Sequence, residues 1–307
     1  MSILRFLING FIKTGAKTFW EQYSANTGLV PPNLQGVGMN FIEEHYTRCF
    51  DTALKVYGSN DIPISYKQYF THLYNARLAP LADEQLVIVD ASMYSSFVVY
   101  FCCLYQLAFL EPTSIDRTKI VKVFFSEVEF HLLCLRGEGQ QKGISSKLWL
   151  EISSRDEEIM TWAAMSAECL LIYIILHEMG HIFHKHEEFD SSETSDSGLK
   201  EYSKHHELEA DEFAIDKLYE ILSKENAHNL TLDFIYVPVL FFQTLGLIDV
   251  YRCDIFHESS MVGEYYPTFS ERESRVKKWK YASTVLLDKP SQSLMYLKSL
   301  IELARQM

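Results

Sequence analysis

The apolar run LLIYIIL (Leu170–Leu176) is followed without a break by HEMGH (His177–His181). Upstream, SSRDEE begins at Ser153 with the serines and acidic residues that suit a helix N-terminus, so Ser153–His186 predicts one long helix. A helix apolar on most of its faces has to be central and wrapped by other elements. At its far end that helix must carry two imidazoles and a carboxylate where water is scarce, and the fold has to supply their partners.

A helix turns about 100° per residue, so His177 and His181, four apart, project from one face about 40° from each other and reach a common point. A single ion, with zinc the natural guest, satisfies both rings. Glu178 stands beside the pair, where a carboxylate can take a proton from a metal-bound water. The alternative is a pair of hydrogen-bonded core histidines, and a third ligand decides between the two.

Three places offer that ligand. The metzincin spacing fails, because Glu187 and His184 stand where its third histidine and its glycine belong. His184 and His186 lie three and five residues beyond His181, a spacing that does not close a tetrahedron from one helix, and they read as a solvated helix end. The next helix, HHELEADEFAIDKLYEILSK (His205–Lys224), offers Glu207 and Asp211 four apart on one face. Ala210 between them lets two helices approach. Glu207 fits as metal ligand and Asp211 as the acceptor for the free N–H of a metal-bound histidine; an ordinary acidic helix face is the alternative.

The rest of the chain is read more coarsely. QLVIVD (Gln85–Asp90) and KIVKVFFSEV (Lys119–Val128) are short, β-branched and aromatic, and predict strands of a small sheet. Leu86–Val89 is expected at the sheet edge, where a peptide backbone could pair. ASMYSSFVVYFCCLYQLAFL (Ala91–Leu110) has bilayer length, but its serines, tyrosines and glutamine and its lack of a basic flank predict a buried core helix. GLVPPNLQGVG (Gly28–Gly38) and the polar stretch Glu187–Lys204 read as irregular connections, with further helices around Val239–Tyr251 and Ser291–Arg305. The fold class expected is α+β, mainly helical, with a small mixed or antiparallel sheet packed on the HExxH helix. Residues 1–80 are expected to form an N-terminal segment of unassigned role packed on a domain of residues 81–307, with a single domain overall as the alternative.

Composition excludes some partners. With 28 basic and 41 acidic residues the formal charge is −13, which opposes binding to a nucleic-acid backbone or an anionic lipid face. Six cysteines without a CxxC pair, most in apolar surroundings, read as reduced thiols of the cytoplasm. The opening residues MSILRFLINGFIKTGAK predict no secretion signal.

HExxH followed on the next helix by ExEAD resembles the gluzincin metallopeptidases, among them the HtpX and prenyl-protein peptidases and the ImmA/IrrE regulators, and resembles most the Lit-like phage-exclusion peptidases. LVIVDASMYSSFVVYF (Leu86–Phe101), ELEADEFA and YPTFSER (Tyr266–Arg272) follow the same order, and the similarity spans residues 80–280. The resemblance implies a zinc endopeptidase with His177, His181 and Glu207 as ligands, Glu178 as general base and Asp211 behind the ligands. It implies a cytoplasmic protein substrate, in the Lit-like case translation elongation factor Tu, cleaved in antiviral defence. The near alternatives are an ImmA/IrrE-like peptidase that cleaves a repressor and a non-catalytic binding module on a peptidase scaffold. Where the family carries His-Pro before its Glu-Arg pair, this chain has Tyr266-Pro267. Tyr266, or Tyr265 beside it, is therefore the candidate donor to an oxyanion; Arg272 is expected either to serve in its place or to pair with a carboxylate.

Overall fold

The computed structural model describes residues 37–58, 63–69, 76–80, 84–109, 115–135, 146–186, 196–224, 232–257, 259–260, 262, 266–277 and 284–306. In chain order these form α1 (Val37–Tyr57), β1 (Ile64–Tyr69), β2 (Ala76–Pro80), β3 (Gln85–Asp90), α2 (Met93–Phe109), α3 (Ile115–Leu135), α4 (Ser146–Ser153), α5 (Glu157–Phe183) and α6 (Asp196–Leu222). A 3-10 turn (Leu232–Tyr236), α7 (Val237–Phe256), α8 (Phe269–Lys277) and α9 (Thr284–Gln306) follow. The architecture is α+β and mainly helical, as the periodicities predict.

Helix α5 is the axis of the molecule. Asp156 caps it by accepting from the Ile159 N–H at 3.0 Å, and Glu157 and Glu158 in the first turn favour its positive end. From Ala163 to Ile182 it is buried on nearly all sides, because α1, α2, α6, α7, β2 and β3 all pack against it. That enclosure is what its uninterrupted apolar sequence requires. α2 lies against it as a second core helix of 17 residues, with Phe97, Phe101, Leu104 and Leu107 buried. Ala91–Leu110 thus contributes packing within the core. Two helical stretches are long and apolar enough to cross a membrane, Glu157–Phe183 and Leu232–Ile255, and 67% and 61% of their apolar windows are buried inside the protein.

The sheet has three strands in the order β1-β3-β2. β1 runs parallel to β3 from Ile64 opposite Gln85 to Tyr69 opposite Asp90, and β2 runs antiparallel to it from Ala76 opposite Val89 to Pro80 opposite Gln85. Two sequence expectations change here. β3 is the central strand, paired on both sides, so Leu86–Val89 has no free backbone to offer a peptide; its near-continuous apolar sequence reflects burial on both faces. Lys119–Val128 is helix: Ile120, Val123, Phe124 and Val128 are all fully buried and fall at i, i+3, i+4 and i+8. The β-branched and aromatic content of that stretch favoured a strand, but its period is helical, and period decides which residues share a face.

β1 and β2 precede residue 81 and pair with a strand that follows it, so the sheet straddles the expected boundary. Tyr46 of α1 ties the same region together, donating to the Asp90 carbonyl at 3.0 Å and accepting from the Tyr94 N–H at 3.0 Å. The polar stretch Glu187–Lys204 is irregular in sequence, yet α6 already begins at Asp196; residues 187–195 lie outside the described residues, as do residues 28–36 of the proline- and glycine-rich stretch. Cys49, Cys102, Cys103 and Cys169 are buried free thiols and Cys253 is partly exposed.

Candidate metal centre

The site forms where α5 and α6 cross, and two small residues set the distance. A Cβ on Gly180 would stand 3.0 Å from the Ala210 Cα and 3.2 Å from its carbonyl oxygen, so any larger residue would push the two backbones apart by a few tenths of an ångström. The crossing puts Glu207 and Asp211, which flank Ala210, against the histidine face of α5.

Three ligand atoms converge. His177 Nε2 and His181 Nε2 are 3.2 Å apart; Glu207 Oε2 is 3.4 Å from the first and Glu207 Oε1 is 3.7 Å from the second. Ligands about 2.0–2.1 Å from one tetrahedral ion stand about 3.3 Å from each other, close to the spacing of the two ring nitrogens and of each from one Glu207 oxygen. All three side chains are at most 17% exposed. His177, His181 and Glu207 form a buried group able to hold a metal ion.

Behind His177 stands Asp211, fully buried, with Oδ1 3.0 Å from His177 Nδ1. The same carboxylate accepts from the Tyr173 hydroxyl at 2.8 Å and from Arg272 by two bonds, Nε to Oδ2 at 2.7 Å and an Nη to Oδ1 at 2.6 Å. Arg272 also lies 3.6 Å from Glu207 and over the Phe242 ring at 4.7 Å. Its planar fork is thus committed to Asp211, so in this chain Arg272 positions a carboxylate. Arg272 is delivered by a capping box. Thr268 accepts from the Glu271 N–H at 3.2 Å while Glu271 accepts from the Thr268 N–H at 2.6 Å, which starts α8 at Phe269, three residues before the arginine. The pattern TFSE was visible in the sequence; what it aims at was not.

The charges of this group are unbalanced. Among the described residues, Glu207 and Asp211 bring two negative charges against one positive charge on Arg272, and Glu178, on which Arg77 also acts, adds a third when ionised. A divalent cation would offset the surplus. Without one, His177 keeps a proton: burial opposes its charge, but hydrogen bonds to Asp211 and Glu207 prevail and raise it to about 9. Burial pushes Glu207 up, yet bonding to His177 and the charges around it hold it down at about 2. His181 is lowered to about 3 by burial and by charged His177. Burial raises Glu178 to about 7. The donor set, two imidazoles and a carboxylate with a surplus of negative charge, therefore fits a borderline dication.

The other predicted residues separate. Tyr266 is 52% exposed ahead of α8, and Tyr265 lies outside the described residues. His184 is exposed, as a helix end should be. His186 is not: its side chain is 7% exposed and its Nδ1 stands 2.8 Å from His181 Nδ1, which corrects its reading as solvated. The cause is Lys185, whose φ of 55° reverses the chain after the helix, a turn that helical periodicity cannot anticipate.

Among the described residues two further groups have metal-binding composition, His186–His206–Glu209 and the buried His45–Cys49–Glu168. In the second, an Arg48 Nη already lies 2.7 Å from His45 Nδ1 and 3.4 Å from Glu168, so the chain provides the cation itself. No protein-family model, curated protein or solved structure matches this chain.

Proposed function

We propose that this protein is a cytoplasmic zinc endopeptidase. The observation that carries the reading is the triangle of His177 Nε2, His181 Nε2 and a Glu207 carboxylate oxygen, with Glu178 next in the chain to the first ligand. Zinc in such a site supplies a Lewis acid and a bound water whose pKa falls to about 7.

The residues of the chain supply the rest. Glu178 is raised to about 7 by burial, which suits a group that takes a proton from water and returns it to a leaving amine near neutral pH. Asp211, fixed by Arg272 and Tyr173, keeps the His177 proton on Nδ1 and its Nε2 lone pair toward the ion. Tyr266, exposed ahead of α8, is the candidate donor to the oxyanion. The peptide backbone pairs along β2, which packs on α5 and, among the described residues, pairs only with β3. Arg77 on that strand lowers the Glu178 carboxyl by its charge, so the strand is within electrostatic reach of the base.

Through the Lit-like resemblance, the substrate class is an abundant cytoplasmic protein, elongation factor Tu, cleaved in antiviral defence. The test has two stages. Purified protein should hold one equivalent of zinc and Glu207→Ala none. Glu178→Gln should keep the metal and lose cleavage by about 10²-fold or more, read as new protein termini across a proteome after expression. Undiminished cleavage by Glu178→Gln sinks the mechanism; a metal-loaded protein that produces no new termini favours a binding module.

A further inference from the structure

His181 and His186 are five residues apart, which on a continuing helix places their rings about 140° apart around the axis. The helix stops instead. The His184 N–H bonds the Gly180 carbonyl at 3.0 Å, the Lys185 N–H bonds that of Ile182 at 3.1 Å, and Lys185 adopts φ of 55°. A lysine pays about 1 kcal/mol for that left-handed conformation. The reversal brings His186 back against α6, its ring stacked on His206 at 3.7 Å. His186 Nδ1 is 2.8 Å from His181 Nδ1, and its Nε2 is 3.2 Å from Glu209 Oε2. The other oxygen of Glu209 faces His205 Nε2 at 3.2 Å.

Proton counting orders this row. A neutral imidazole has one N–H and one lone pair. If His181 offers Nε2 to an ion, its proton is on Nδ1 and needs an acceptor. His186 Nδ1 is that acceptor, so the His186 proton sits on Nε2 and points at the Glu209 carboxylate. Each N–H in the row meets one lone pair. An ion bound instead by His186 Nε2, His206 and Glu209 would move the His186 proton to Nδ1, where it meets the His181 N–H head-on at 2.8 Å. The second cluster is therefore spoken for by the first.

We infer that His186 is a positioning residue for His181. It accepts the His181 Nδ1–H, is polarised in turn by Glu209, and holds the His181 ring at the angle where its Nε2 meets His177 Nε2 and the Glu207 carboxylate. The inference rests on the reading of the triad as a zinc site. It gives each ligand imidazole its own support: a carboxylate, Asp211, behind His177, and an imidazole backed by a carboxylate behind His181.

The test compares His186→Leu, which removes the acceptor, with His186→Asn, whose amide oxygen can stand where Nδ1 stood. Zinc dissociation constants measured on the full chain by chelator competition should weaken about 10- to 100-fold in the leucine variant and recover to within about threefold in the asparagine variant. The visible spectrum of the cobalt(II)-substituted protein should shift for leucine and return for asparagine, while the two metal-free variants unfold at the same temperature. Native zinc affinity in His186→Leu overturns the inference and leaves the zinc site standing. Equal losses in both variants overturn it too, since a packing role does not distinguish the two side chains. So does a second zinc equivalent that His206→Ala removes. A native protein that takes up no zinc defeats the triad reading itself.

Discussion

Helix α5 carries two buried polar clusters with similar ingredients and opposite charge balance. Near its middle, Glu168 meets His45 and Cys49 of α1, and Arg48 reaches in from a half-exposed position to the carboxylate and the imidazole. Toward its end, His177 and His181 meet Glu207 and Asp211, with Arg272, among the described residues, as the guanidinium paired to them. In the first cluster one carboxylate faces one guanidinium, although Glu168 Oε1 is buried without a hydrogen-bond partner among the described residues and burial raises that carboxyl. In the second, carboxylates outnumber the cation, and the ring nitrogens left over face one another 3.2 Å apart. A metal site is thus recognised less by which residues gather than by whether the chain has already neutralised them.

The comparison can be broken most severely at its two arginines. Arg272→Ala leaves Asp211 fully buried without its main partner and should cost about 3–5 kcal/mol in denaturant unfolding of the metal-free protein. Arg48→Ala removes a half-exposed side chain and should cost less than about 1 kcal/mol. Equal losses would mean that charge balance does not distinguish the clusters. Gly180→Ala probes the crossing that only the second cluster depends on. Its Cβ meets backbone at 3.0 Å, so the helices must part, at about 1–3 kcal/mol, and zinc affinity should fall because Glu207 moves away from the rings. Unchanged stability and affinity would show that the close approach is dispensable.

The pH response sharpens the contrast further. His177 is raised from 6.5 to about 9, so its contribution to the metal-free fold is complete below pH 6.5 and lost as pH rises through 9. Glu207 is lowered from 4.5 to about 2, so its contribution is present above pH 4.5 and lost as pH falls through 2. The metal-free protein should therefore weaken between pH 6.5 and 9, while zinc affinity rises about tenfold per pH unit as the ion displaces the His177 proton. Calorimetric titrations in buffers of different ionisation enthalpy read that proton directly; no proton release at pH 7.5 would contradict it. The smallest effect belongs to Lys185→Gly, which relieves the left-handed backbone and should change stability by no more than about 1 kcal/mol with His186 still in place. A large loss there would mean that the lysine side chain, and not the turn, holds His186.

Much of the site was legible because its logic is local. The four-residue spacing of His177 and His181, and of Glu207 and Asp211, holds on any helix, and Gly180 and Ala210 are small in the sequence itself. Their convergence required only that two helices cross there. His186 was misread because a lysine in the left-handed region follows no periodicity. That Arg272 could pair with a carboxylate was legible, but not that Asp211 would be the one, since its aim depends on where α8 docks. Lys119–Val128 shows composition outweighing period in the reading of a short segment; Leu86–Val89 shows that an apolar strand does not announce how many neighbours it has.

By itself, the sequence determined which groups can act together along one helix face, and that α5 would be enclosed, because side-chain direction within a helix follows from its geometry alone. Only the tertiary structure decided which carboxylates lacked a counter-charge and which histidine stood behind His181. Those answers depend on distances between segments far apart in the chain, and electrostatic balance in a buried site is a property of those distances.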